Sequence, residues 1–388
     1  MLALAARGEL RAHLTEQTRR MLADPRSEKL IQNFTGQWLQ TRDVDGISIN
    51  ARVILARDSG QERQLREQQA AIRAFFAQGT NRPAGTNSPF RRFTPPRVEL
   101  DRDLRDAMRR ETEMYVAGIV REDRPITELI DSDYTYLNEK LAKLYGITNV
   151  LGTEMRRVTL PAGSPRGGVL THGSALVVTS NPDRTSPVKR GLYILENFLG
   201  TPAPPPPPNI PALEAVEKDF KDHEPILREA LQLHREKPLC ASCHARMDPI
   251  GLAFENFNAM GMWRDKERNQ SIDAAGRLIT GESFTSVREL KHILSVQHRG
   301  DFYRCLTEKL LTYALGRGPE YYDVETIDRI VQRLEDENGH FSALLLGIVE
   351  SAPFQRMRLQ ATASLSASTE PPEARSSTQA TGAKESTR

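Results

Sequence analysis

The pentapeptide Cys240-Ala241-Ser242-Cys243-His244 constrains this chain more than any other stretch. Cys-x-x-Cys-His is the spacing at which two thiols and one imidazole capture a c-type haem. The two thiolates add to the haem vinyl groups as thioethers, and the adjacent histidine sets a ring nitrogen beneath the iron as proximal ligand. Without either cysteine the macrocycle is held at one edge. The spacing therefore points to one covalent haem c on Cys240 and Cys243, with His244 on its iron.

Two other chemistries use the same residues. A structural zinc site could take Cys240, Cys243 and two histidines, but finger spacing asks for a second ligand pair, and only His234 lies just upstream. A thioredoxin-like dithiol shares Cys-x-x-Cys, yet no strand-turn-helix pattern precedes it and a histidine follows at once. Haem leads, because the pentapeptide is rare without it.

The rest of the composition narrows the partners. At 388 residues, with 38% hydrophobic and 27% charged side chains, the chain has the make-up of a soluble globular protein of two or three domains. Net charge is +2 with both signs interleaved, so neither nucleic acid nor an anionic membrane surface is an expected partner. Two of the three cysteines belong to the motif, which leaves Cys305 unpaired, on an expected helix, as a buried inert thiol. No apolar run approaches the length of a membrane span, and Met1 to Arg11 lacks the charged start, apolar core and cleavage site of an export signal. Haem of the c type is attached outside the cytoplasm, so the sequence is expected to lie within a longer exported protein or to carry a displaced start.

Periodicity predicts a mainly α protein. Leu10, Leu14 and Met21 recur at helical spacing, and Leu30, Ile31, Phe34, Trp38 and Leu39 mark a second amphipathic helix. Further helices are expected over 61–78, 101–121 and 136–145, the last capped by Gly146, with a Gly/Pro/Asn/Arg loop up to Pro96. This helical domain occupies 1–160, and a short strand near 156–160 marks its end. Ser186-Pro187 has the form of an N-cap followed by proline at the first helical position, so a helix should run from Val188 to Leu199 and close at Gly200. The polar turn from Thr179 to Thr185 suits either an anion such as a haem propionate, with Arg184 as its contact, or a plain capping role.

Prolines from 202 to 208 form a stiff spacer inside the haem-binding module, which spans 161–268. Helix is expected again from about Glu224 through His234; Met247-Asp248-Pro249 then breaks the turn, and Gly251 to Asn258 forms a further helix. A small hairpin is expected over 272–281. The C-terminal helical domain, 272–357, should hold helices near 286–295, 302–315, 324–337 and 341–351 as a packed bundle. From 358 to 388 the Ala, Ser, Thr, Glu and Pro composition predicts a disordered tail.

Several of these stretches together resemble a family. Thr179-Ser180 with Arg184 to Gly191, Leu199-Gly200-Thr201-Pro202 before the prolines, and Cys240 to His244 followed by Asp248 to Leu252 and Glu255-Asn256-Phe257 look like the planctomycete-type cytochrome proteins. Those are large exported proteins built partly from domains of unknown function, and the chain resembles modules 1592, 1588 and 1585 in that order. Asn33-Phe34, Gln37-Trp38-Leu39 and Tyr134 to Asn138 are similar to the first module, and Lys309 to Arg317 to the third. The resemblance implies a haem protein at the periplasm or cell surface. It supplies no activity.

The sixth iron ligand decides what such a haem does. His172 and Met260 are the named distal candidates, each also readable as a core residue, beside an unassigned ligand or an open site. Three function classes follow. An electron-transfer cytochrome would work with a redox partner protein, a peroxidase- or oxygenase-type enzyme would need an open distal pocket, and an assembly protein with structural haem would bind a partner or cell-wall polysaccharide. Electron transfer leads, because no distal acid-base set accompanies the single motif. Whether the chain is an enzyme stays open.

Overall fold

The computed structural model describes residues 1–77, 98–205, 220, 223–236 and 238–356, the side chains of Phe75 and Leu239 excepted. Its architecture is mainly α, as the periodicity predicts. In chain order the α-helices are α1 (Leu2–Ala6), α2 (Leu14–Ala23), α3 (Ser27–Trp38), α4 (Ala51–Asp58), α5 (Glu62–Ala77), α6 (Arg102–Arg121), α7 (Glu139–Tyr145), α8 (Gly173–Val178), α9 (Pro187–Asn197) and α10 (Leu227–Arg235). There follow α11 (Pro238–Leu252), α12 (Val287–Val296), α13 (Arg299–Leu315), α14 (Val324–Asp336), α15 (Phe341–Glu350) and α16 (Ala352–Gln355). Three antiparallel two-stranded ladders join them: β1 (Tyr134–Leu137) with β2 (Arg156–Thr159), β3 (Lys266–Glu267) with β4 (Gln270–Ser271), and β5 (Gly276–Arg277) with β6 (Ser283–Phe284).

Local chemistry explains many of the boundaries. Asp101 caps α6 by accepting from the Leu104 amide, Ser186 caps α9 from Lys189, and Ser286 caps α12 from Glu289. Each satisfies an amide that the first turn leaves without a partner. Gly146 ends α7 at φ +70°, a conformation that glycine adopts without steric cost.

Three expectations need correction. Tyr136 and Leu137 are strand rather than helix, paired with Arg157 and Arg156, and α7 starts only after Asn138, whose side chain accepts from the Leu141 amide. Pairing with β2 and the burial of Tyr134, Thr135 and Leu137 outweigh their compatibility with a helix. The hairpin lies at 276–284, further along than 272–281. Finally, α11 runs straight through Met247-Asp248-Pro249, and residues 253–256 are turns. Pro249 sits in the last turn, where it removes one backbone hydrogen bond, while buried Met247, Asp248 and Ile250 hold the helix against the core. Of the remaining expectations, the Pro96 loop, residues 206–208 of the spacer and the 358–388 tail lie outside the described residues.

The three sequence segments share one apolar interior. Its main cluster takes Phe34 and Trp38 from the first, Tyr193 and Phe198 from the second, and Phe302 and Leu310 from the third. Phe198 stacks on Phe302 at 5.7 Å, and the Trp38 indole donates to the Asn197 carbonyl at 3.0 Å. Buried Lys291 on α12 donates to the Gly167 carbonyl at 2.9 Å and pairs with Asp131 at 2.8 Å. Met1 to Gln355 is accordingly one compact unit. No helix among the described residues is long and apolar enough to cross a membrane.

Candidate functional site

Helix α11 presents the pentapeptide. Residues three and four apart share a helical face, so Cys240, Cys243 and His244 lie along one stripe. Both cysteines are free and half-buried, with Cys243 packed against the edge of the main core. Accessible thiols beside an apolar surface are what thioether formation with a large flat ring requires.

One turn further on, the same stripe reaches Asp248. His244 Nδ1 lies 3.0 Å from Asp248 Oδ1, an i,i+4 pair. An ionised carboxylate has no proton to give, so Nδ1–H donates, and the lone pair of the neutral ring resides on Nε2. The His244 side chain is 15% exposed and that of Asp248 is 0% exposed. Helix α10 packs alongside and brings Arg235 Nε to 3.6 Å from Asp248 Oδ2, an atom with no hydrogen bond among the described residues. It also sets the His234 ring edge-on to His244, with centroids 4.7 Å apart. The donor set fits a c-type haem: two thiols to hold the ring and an imidazole whose second nitrogen is already committed. Among the described residues, no three His, Cys, Asp or Glu side chains are grouped to hold a metal ion by themselves.

What fixes α11 in place is its crossing with α9. A Cβ on Gly191 would fall on the Met247 carbonyl, and one on Gly251 would fall on the Pro187 carbonyl, so the two backbones touch where both side chains are missing. Past this crossing, Arg190 on α9 is wholly buried and donates to the Phe254 and Phe257 carbonyls at 2.6 and 2.8 Å and to Glu255 at 3.2 Å. Arg264 reaches the other Glu255 oxygen at 2.9 Å and Asp58 at 2.7 Å, and Thr185 donates to Glu255 at 2.6 Å. Burial pushes the Arg190 guanidinium down to about 10 and pushes Glu255 up, against the pull of the two arginines. Glu255, in other words, is the hub of a buried network that ties the segment after the pentapeptide to α9 and α4.

The other residues singled out in the sequence go elsewhere. His172 is buried at the start of α8, with Nδ1 3.0 Å from the Thr112 hydroxyl and Nε2 3.4 Å from that of Thr135. Glu111 completes this cluster, accepting from Thr135 at 2.7 Å and Tyr145 at 2.6 Å. Met260 packs in a small cluster with Ala51, Ile54 and Ala259. The described contacts bring neither His172 nor Met260 to His244. Arg184 is buried, donating to the Thr185 carbonyl at 3.2 Å, in a turn whose Thr185 and Ser186 serve Glu255 and the α9 N-terminus. Cys305 is buried on α13, where burial pushes its thiol up to about 11.

In the sequence Asp248 and Glu255 stand out only as part of the family resemblance, with no role, and Arg235 does not stand out at all. The i,i+4 spacing of His244 and Asp248 was the available signal, hidden by treating Pro249 as a helix breaker.

Comparison with known proteins agrees with the module order. Residues 1–147 match the family described as protein of unknown function (DUF1592), 166–267 match DUF1588 and 280–354 match DUF1585. The pentapeptide, Asp248, Glu255 and both crossing glycines fall in the second match. No curated protein and no solved structure matches the chain. The chain thus belongs to the proteins of unknown function that carry DUF1592, DUF1588 and DUF1585 modules in succession.

Proposed function

We propose that this chain is a c-type cytochrome module of an exported protein, working at the periplasm or cell surface and exchanging single electrons with a redox partner protein. The observation that carries this is the stripe on α11: two free half-buried thiols and a histidine whose Nδ1 is held by Asp248. Cys240 and Cys243 would hold the haem, and His244 Nε2 would face its iron. Bound there, the haem supplies a one-electron ferric–ferrous couple. The protein's own part is to position the group: the Gly191–Gly251 crossing and the Glu255 network keep α11 from shifting, so the imidazole stays oriented in either oxidation state.

The test is expression behind an export signal in a host that matures c-type cytochromes, followed by a haem stain on a denaturing gel and a pyridine haemochrome spectrum. A stained band with a c-type spectrum is expected, and Cys240→Ala with Cys243→Ala should lose it entirely. An unstained chain from a host that matures a control cytochrome, or a stain surviving in the double variant, would refute the proposal.

A further inference from the structure

We infer that Asp248 is a positioning residue that makes His244 a strong donor and so biases the haem toward the ferric state; this rests on the cytochrome function proposed above. The argument begins with cost. Taking a carboxylate out of water is unfavourable by several kcal/mol unless partners replace the lost hydration. Asp248 is fully buried, yet Oδ2 has no hydrogen bond among the described residues, with the Arg235 guanidinium at 3.6 Å as its counter-charge. The one close hydrogen bond is from His244, at 3.0 Å. Other buried carboxylates in this protein are better served: Glu255 has two arginines and a hydroxyl, and Glu267 has Arg57 at 2.7 Å and the Leu227 amide at 3.1 Å. Asp248 accepts poorer terms at the position where a carboxylate can act on His244.

What it does there is general chemistry. A carboxylate accepting from the far nitrogen of a ligating imidazole fixes the ring's tautomer and orientation and raises its basicity toward the metal. A more basic ligand stabilises the higher charge of ferric iron more than that of ferrous. Arg235, on the opposite carboxylate oxygen, moderates the effect without competing for Nδ1.

The experiment compares the matured unsubstituted chain with Asp248→Asn and Asp248→Glu. Asp248→Asn should move the ferric–ferrous equilibrium at least tenfold toward ferrous, 59 mV upward for a one-electron couple, and should lower the iron–histidine stretch in resonance Raman spectra of the photolysed carbonyl complex. Asp248→Glu should return most of both shifts. Asp248→Asn within twofold of the unsubstituted protein would overturn the inference while leaving the cytochrome function intact. If the unsubstituted chain takes up no covalent haem, both fall. Should Asp248→Asn not mature, the stretch in the unsubstituted protein decides: a value no higher than that of histidine-ligated haem with a neutral Nδ1 acceptor overturns the inference.

Discussion

His172 and His244 occupy opposite kinds of environment, and the contrast shows what separates an enclosed histidine from one with a nitrogen left to offer. His172 is buried with a hydroxyl at each ring nitrogen, and Tyr115 meets it edge-on at 5.0 Å. His244 is partly open to solvent, with one nitrogen given to Asp248 and half-buried thiols beside it. A ring with both nitrogens engaged has no lone pair to offer, whereas a ring with one nitrogen engaged is oriented and still has one.

The largest effect expected is on what the two sites share. Both depend on one compact unit, and the α9–α11 crossing admits no side chain. Gly251→Val should therefore cost about 3 kcal/mol or more, lowering the urea midpoint for both regions together. Unfolding of the His244 region alone, with the His172 signal unmoved, would mean that the sites are independent.

Next comes the contrast itself. In the cofactor-free chain, His172→Ala should destabilise by about 3 kcal/mol, because it opens a cavity and leaves Thr112 and Thr135 with only their bonds to Ser174 and Glu111. His244→Ala should cost about half as much, because water can enter where the partly exposed ring stood and serve Asp248 in its place. Equal losses in urea titrations would collapse the distinction.

A pH experiment sharpens the comparison at somewhat smaller amplitude. Burial pushes Glu111 up to about 7 and His172 down to about 3. Glu111 holds its proton more tightly folded than unfolded, so its contribution is complete below the reference value of 4.5 and is lost as pH rises to about 7. His172 holds its proton less tightly folded, so its contribution is complete above 6.5 and is lost as pH falls toward about 3. Between the two reference values the slopes oppose. With both groups present the profile between about pH 5 and pH 8 is nearly level; Glu111→Gln should remove the alkaline loss and leave stability rising by about 2 kcal/mol over that range. An unchanged profile in chemical denaturation would show that Glu111 is ionised in the fold.

Much of the helical frame was legible along the chain. Apolar spacing in α2, α3 and α13 and the caps at Ser186 and Gly146 are local signals, because a helix satisfies its backbone within itself. Tyr136 was misplaced for the converse reason: a strand becomes strand through a partner, and its partner Arg157 on β2 lies 21 residues away. Short α4 and α8 have little periodicity of their own and take their places from packing.

The same division runs through the site. The amino-acid sequence by itself determined the two thiols and the adjacent imidazole, since their spacing is covalent and places them on one stripe of any helix that forms there. It also ordered the three modules. Only the tertiary structure decided that Asp248 is buried against His244 with Arg235 behind it, that Glu255 serves two arginines instead of a ligand, and that His172 is enclosed by hydroxyls. Burial and charge pairing depend on which surfaces meet, and α9 and α10 meet α11 only once the chain has folded.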